Sequence, residues 1–161
     1  MIYIESPNKK IPSNKKRSLF LAGGITDCPD WQSEVAEGLS TCDIEIFNPR
    51  RADFPMGDPN AGKEQIKWEF DRLDRVSDIM FWFCRETVCP IVLYEIGRHL
   101  AVWQREGGCT YRSRIYIGMD PHYSRRFDVE QQSWLTGWEG TIHFTLDDLV
   151  KEIRDSFQDG K

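Results

Sequence analysis

Long apolar runs are missing from this sequence. None approaches the roughly 20 residues that a helix needs to cross a bilayer, and the lead-in, with Lys9, Lys10, Lys15, Lys16 and Arg17, lacks the apolar stretch of a secretory signal. A cytoplasmic location is expected. Metal-ligand patterning is missing too. The five cysteines, Cys28, Cys42, Cys84, Cys89 and Cys109, are odd in number and contain no Cys-x-x-Cys pair, so free thiols are the simpler reading than a disulfide framework. The three histidines, His99, His122 and His143, are scattered, and no recurrent short spacing marks a zinc site, so neither a metal nor another cofactor is expected. Excess positive charge is absent: a net charge of −5 argues against a protein that coats nucleic acid, whose affinity draws on many Lys and Arg contacts to phosphate. A small-molecule partner fits better.

What remains is ample apolar and aromatic material. With 40% hydrophobic residues, six Trp and nine Phe in 161 residues, the chain can bury a core without staples. Residues 1–17 read as a basic, polar arm, with a short strand possible at Ile2 to Ile4, and residues 18–161 as one domain. Strands are expected at Leu19 to Ala22, Ile44 to Phe47, Ile79 to Phe83, Ile115 to Gly118 and Thr141 to Phe144. Helices are expected from Asp30 with Trp31, Val35 and Leu39 inward, from Lys63 with Ile66, Phe70 and Leu73 inward, over Ile91 to Trp103, and over Leu146 to Phe157. The loop from Ala52 to Gly62, rich in Pro and Gly, is long enough for a lid. Strands alternating with helices at these lengths imply right-handed βαβ units. The expected fold is a single-domain, three-layer α/β fold around a five-stranded parallel sheet, flavodoxin- or Rossmann-like, with its ligand at the carboxyl ends of the strands.

Several polar groups fall at that edge. Gly23-Gly24 is a turn that lacks both dinucleotide and P-loop spacing, so a tight strand-to-helix connection is favoured over phosphate binding. Arg50-Arg51 suits either a phosphate or carboxylate clamp or a solvated pair. Glu95 stands among Ile91, Val92, Leu93 and Ile96, where a carboxylate must be paired, functional or desolvated; pairing with Arg98 is the plain alternative. Gln65, Trp68 and Glu69 can point towards the loop after Phe47, whereas Asp71 and Asp74 fit a solvated face. Trp103, Trp134 and Trp138 fit core or subunit contacts better than a docking surface.

Taken in order, Phe20-Leu21-Ala22-Gly23-Gly24-Ile25, Trp31, Phe47-Asn48-Pro49-Arg50-Arg51, Gln65 to Trp68-Glu69, Asp78 to Phe83 and Tyr94-Glu95-Ile96-Gly97 resemble the nucleoside 2-deoxyribosyltransferase family. The segment Pro121 to Val129 is similar to the stretch after the fourth strand in its deoxyribosyltransferase-like branch. The resemblance implies that Glu95 attacks C1′ of a 2′-deoxynucleoside, releasing the base and passing the sugar to a second base or to water. It offers Glu69 and Asp78 as the acids that assist the leaving base, with Asp78 equally able to be structural. It places substrate near Gly23, Gly24, Ile25, Asn48, Pro49, Arg50, Arg51, Trp68 and Thr87. The partners implied are a nucleoside or nucleotide and a free nucleobase, with neither a nucleic-acid polymer nor a membrane, in a homo-oligomer of two or more chains. A deoxynucleoside monophosphate hydrolase, with Arg50-Arg51 or Arg125-Arg126 clamping phosphate, and a non-catalytic nucleotide-binding module are the alternatives. Where well-studied members carry an acid shortly before the nucleophile, this chain reads Thr87-Val88-Cys89-Pro90. Their first-strand turn is rich in aromatics, and here it is Gly23-Gly24-Ile25.

Overall fold

The computed structural model describes residues 1–107 and 113–157. Its elements run β1 (Ile2–Glu5), β2 (Arg17–Gly23), α1 (Trp31–Gly38), β3 (Ile44–Asn48), α2 (Pro59–Leu73), β4 (Asp78–Phe83), α3 (Pro90–Arg105), β5 (Arg114–Met119), α4 (Arg126–Leu135), β6 (Ile142–His143) and α5 (Leu146–Asp155). All strand pairs are parallel, in the order β1-β3-β2-β4-β5-β6. The sheet thus has six strands rather than the five expected. The extra strand is the apolar start of the lead-in, which pairs with β3 from Ile2 opposite Glu45 to Glu5 opposite Asn48.

Leaving out that edge strand, the order is that of a flavodoxin-like doubly wound sheet, 2-1-3-4-5. The chain moves outward to one side after β2 and to the other after β4, which opens a crevice above the carboxyl ends of these two strands. Alternation divides the strands between two cores. On β4, Met80 and Trp82 face one layer with Trp31, Val35, Leu149 and Ile153, whereas Ile79, Phe81 and Phe83 face the other with Trp68, Ile96 and Leu100.

Two helices differ from expectation. The second begins at Pro59, because Asp58 caps it by accepting from the Asn60 amide at 2.8 Å and Pro59 suits the first helical position. Its inward face is also different: Ile66 and Phe70 are exposed, and Ala61, Gln65, Trp68, Arg72 and Leu73 are buried. Backbone carbonyls of the lead-in select that face. Trp68 Nε1 donates to Asn8 O at 2.7 Å, and Arg72 donates to Asn8 O and Lys10 O at 3.1 and 2.9 Å. Helix α4 escapes sequence reading because it buries only Val129 and Ser133, too short a stripe to announce a period.

Gly23 ends β2 where only a hydrogen fits. A Cβ there would lie 2.6 Å from Trp82 O and would strike the Trp31 indole. Gly23→Ala is therefore expected to cost about 1–3 kcal/mol, measured by urea unfolding. An unchanged midpoint would show that the strand end yields freely.

Candidate functional site

The crevice above β2 and β4 holds a pocket of about 250 Å³, close to the lower end of the range for small-molecule sites. Its floor is Ala22 to Thr26, the end of β2 and its turn; Pro49 closes one side, and Thr87 to Val92 bring in the start of α3. Two carboxylates complete it, Glu69 from α2 and Glu95 from α3. Glu95 lies within the second turn of α3, and Pro90 at the first helical position starts that helix beneath the crevice.

Burial dominates the electrostatics of the pair. Desolvation, reinforced by the nearby charge of Glu69, pushes Glu95 up to about 8, although Arg98 pulls the other way. Desolvation also raises Glu69, against a hydrogen bond from Gln65 Nε2 to Glu69 Oε1 at 2.8 Å. The charge of Glu69 opposes ionisation of Glu95, so the Glu95 carboxyl keeps its proton well above the usual carboxylate range. Arg98 does not neutralise Glu95 through a salt bridge. Its guanidinium stacks over Phe70 at 4.4 Å and lies 3.0 Å from His99 Nε2.

Of the residues expected at the site, Gly23, Gly24, Ile25, Pro49, Glu69, Thr87 and Glu95 line the pocket. The others stand behind it or away from it. Asn48 is buried, donating to Tyr3 Oη at 2.6 Å and accepting from the Arg50 amide at 2.9 Å, so it shapes the turn after β3. Arg50 is consumed by the neighbouring loop, donating to Gln32 Oε1 and to the carbonyls of Ile25, Cys28 and Pro29. Arg51 lies 3.6 Å from Asp53 and beneath Phe54. Trp68 is core. Arg125 and Arg126 pair with Asp128 and Glu130 on α4.

Asp78 is not brought to the pocket. It opens β4 at the amino edge of the sheet, 1% exposed, where Arg17 grips both carboxylate oxygens and Ser77 Oγ donates at 2.6 Å. The carboxyl-end rule for doubly wound sheets separates it from Glu95 by the length of the strand. Trp103 and Trp138 pack partly buried on the core, Trp134 is exposed, and Cys109 lies outside the described residues.

Thr26, Cys89 and Val92 also line the pocket, without a role assigned to them from the sequence. Cys89 carried a readable signal: it directly precedes a helix-starting proline in the loop after a central strand. It takes a left-handed conformation at φ 50°, with its amide donating to Thr87 Oγ1 at 2.9 Å.

Among the described residues no helix is long and apolar enough to cross a membrane. No curated protein matches the sequence. A family model described as nucleoside 2-deoxyribosyltransferase like matches residues 16–109, more than half of the chain and all of the pocket wall. With Glu95 and Glu69 facing one crevice inside that matched span, the chain belongs to the nucleoside 2-deoxyribosyltransferase-like family.

Proposed function

We propose that the protein cleaves the N-glycosidic bond of 2′-deoxynucleosides and transfers the sugar to another base, with Glu95 as nucleophile and Glu69 as the acid at the leaving base. The observation that carries this reading is the pair of desolvated carboxyl groups, Glu69 and Glu95, lining one pocket. The chemistry needs one carboxylate to attack C1′ and one carboxylic acid to hold or protonate the departing ring nitrogen. A singly protonated pair supplies both, with the proton resting on Glu69 once substrate is bound. A covalent ester on Glu95 then waits for a second base, and the same groups run the step in reverse. Turnover should peak with the pair singly protonated and fall above about pH 8, where that proton is lost.

The arginines favour a nucleoside over a monophosphate. Arg50 is spent on loop carbonyls, Arg125 and Arg126 pair with acids on α4, and Arg51 lines no wall of the pocket. The test is to incubate the protein with each 2′-deoxynucleoside and its monophosphate, with and without adenine, and to separate the products. Base exchange that needs a free acceptor is the expected result. Release of base and sugar regardless of acceptor would make it a hydrolase, and no turnover on any substrate would leave a binding module.

Assembly follows from the same wall. Ile66 on α2 and Ile91 and Tyr94 on α3 are 68%, 65% and 76% exposed, on helices joined where Arg98 lies over Phe70. This apolar face borders the pocket mouth, so a second copy seated there would help close the site. Light scattering should find a dimer or larger particle. The double variant Ile66→Asp, Ile91→Asp should be monomeric, and an unchanged mass would place the interface elsewhere.

A further inference from the structure

Three thiols from two loops distant in sequence converge beside the pocket. Gly24 lies among them: a Cβ at that position would meet the sulfurs of Cys28, Cys89 and Cys84, the latter two at 3.0 and 3.3 Å. The sulfurs of Cys28 and Cys84 and a carboxylate oxygen of Glu86 all lie within 4.8 Å of one another. The Cys89 thiol itself donates to Thr87 O at 3.6 Å. Cys28 comes from the loop after β2, and Cys84, Glu86 and Cys89 come from the loop between β4 and α3, so the group spans the switch point of the sheet. The glycosidic chemistry proposed above uses none of the three sulfurs.

We propose that Cys28, Cys84, Cys89 and Glu86 form a binding site for a thiophilic divalent cation of the zinc class. Three thiolates and a carboxylate are a four-ligand set of the kind that holds zinc tetrahedrally, with sulfur near 2.3 Å from the metal and sulfur–sulfur edges of roughly 3.8 Å. The atoms of Cys28, Cys84 and Glu86 already lie within about an ångström of that edge, and the Cys89 sulfur, outside that mutual 4.8 Å group, completes the set by a side-chain movement. On binding, each thiol gives its proton to solvent, and Glu86 exchanges its 3.4 Å pairing with Arg85 for the metal. The cation then ties the β2 turn to the start of α3, the two sides of the pocket to which Gly24 and Cys89 belong.

The test uses the reduced, metal-free full chain and Cd²⁺ alone. Sulfur-to-cadmium absorption in the ultraviolet should saturate at one equivalent. Cys28→Ser should remove roughly a third of that band and weaken binding at least ~10-fold, and Glu86→Gln should weaken it while sparing the band. The control variant Cys42→Ser, Cys109→Ser should keep both. The wild type alone gives a second reading that does not depend on the folding of any variant: Zn²⁺ should slow alkylation of the half-buried Cys28 at least ~10-fold while leaving Cys109 unprotected, followed by peptide mass mapping. Absence of the band, protection equal at Cys109, or a band indifferent to Cys28→Ser would overturn the proposal. So would a disulfide within the group whose reduction leaves thiols that take up no Cd²⁺.

Discussion

Replacing Glu95 with glutamine is expected to abolish turnover and to make the protein more stable. The native carboxyl titrates at about 8 against an ordinary value of 4.5, so the folded chain holds an extra proton between those limits. Stability associated with the protonated carboxyl is fully present below pH 4.5 and is lost as pH rises through about 8, because ionisation in the pocket is opposed by burial and by Glu69. Glutamine keeps the shape and never ionises. The variant should match the wild type at pH 4, gain steadily across the window and lead by about 3 kcal/mol at pH 9, because the partial solvent exposure of Glu95 screens the roughly 5 kcal/mol that the full shift implies; that is roughly 6–12 °C in Tm for a chain of this size. Turnover should fall at least ~1000-fold, as for other enzymes stripped of a nucleophile. Calorimetry at pH 4 and pH 9 beside product chromatography decides both points. Equal stability at pH 9 would mean that Glu95 is well solvated, and surviving turnover would remove it from the chemistry.

The second large effect lies at the opposite edge of the sheet. Asp78 is held by Arg17 through both oxygens, with Ser77 Oγ and Tyr116 Oη beside it, and Arg17 also reaches Ser156 Oγ at 2.9 Å and lies over Phe157 at 3.9 Å. This cluster anchors β2, β4 and β5 and the turn after α5. Arg17→Met leaves a carboxylate buried without its counter-ion, and the expected loss is about 3–5 kcal/mol by chemical denaturation. Asp78→Asn should also destabilise, yet the turnover rate per folded molecule should stay near that of the wild type. The double variant Arg17→Met, Asp78→Leu should recover part of the loss, since no uncompensated charge remains. A collapse of turnover in Asp78→Asn at full folding would return Asp78 to the catalytic machinery. A loss in Arg17→Met no larger than that of an exposed pair would show that water reaches the carboxylate.

These two acids also mark what could be read from the sequence and what could not. Glu95 was legible because its neighbours Ile91, Val92 and Ile96 are apolar and a carboxylate among them demands an explanation. Asp78 was offered only by the resemblance, and its place at the first residue of β4 sets it at the opposite edge of the sheet from the pocket. The strands of the central sheet were legible because they are short apolar runs closed by turn residues. Helix α2 was misjudged at Ile66 and Phe70 because periodicity assumes that apolar side chains define the inward face. Here that face is chosen by Gln65, Trp68 and Arg72 donating to carbonyls of residues 8–10 and 49, partners invisible until the fold is assembled. The three converging cysteines were hidden for the same reason, since sequence spacing is silent about contacts across a switch point. Their convergence comes from strand order alone.

The lead-in strand has one further consequence. Ser6, just past β1, donates to Gln65 Oε1 at 2.6 Å, and Gln65 Nε2 in turn donates to Glu69 Oε1. With Ser6 on its oxygen and Pro49 O accepting from its nitrogen at 2.8 Å, the amide keeps a donor on Glu69 that favours the ionised carboxylate, so a relay to the pocket begins beside an edge strand. Anything that peels this strand away removes one of the two bonds that orient the amide and loosens the donor that lowers Glu69. The acid–base setting of the pocket is thereby wired to the outermost ribbon of the sheet, a place where a change in pairing partner leaves the catalytic residues themselves untouched.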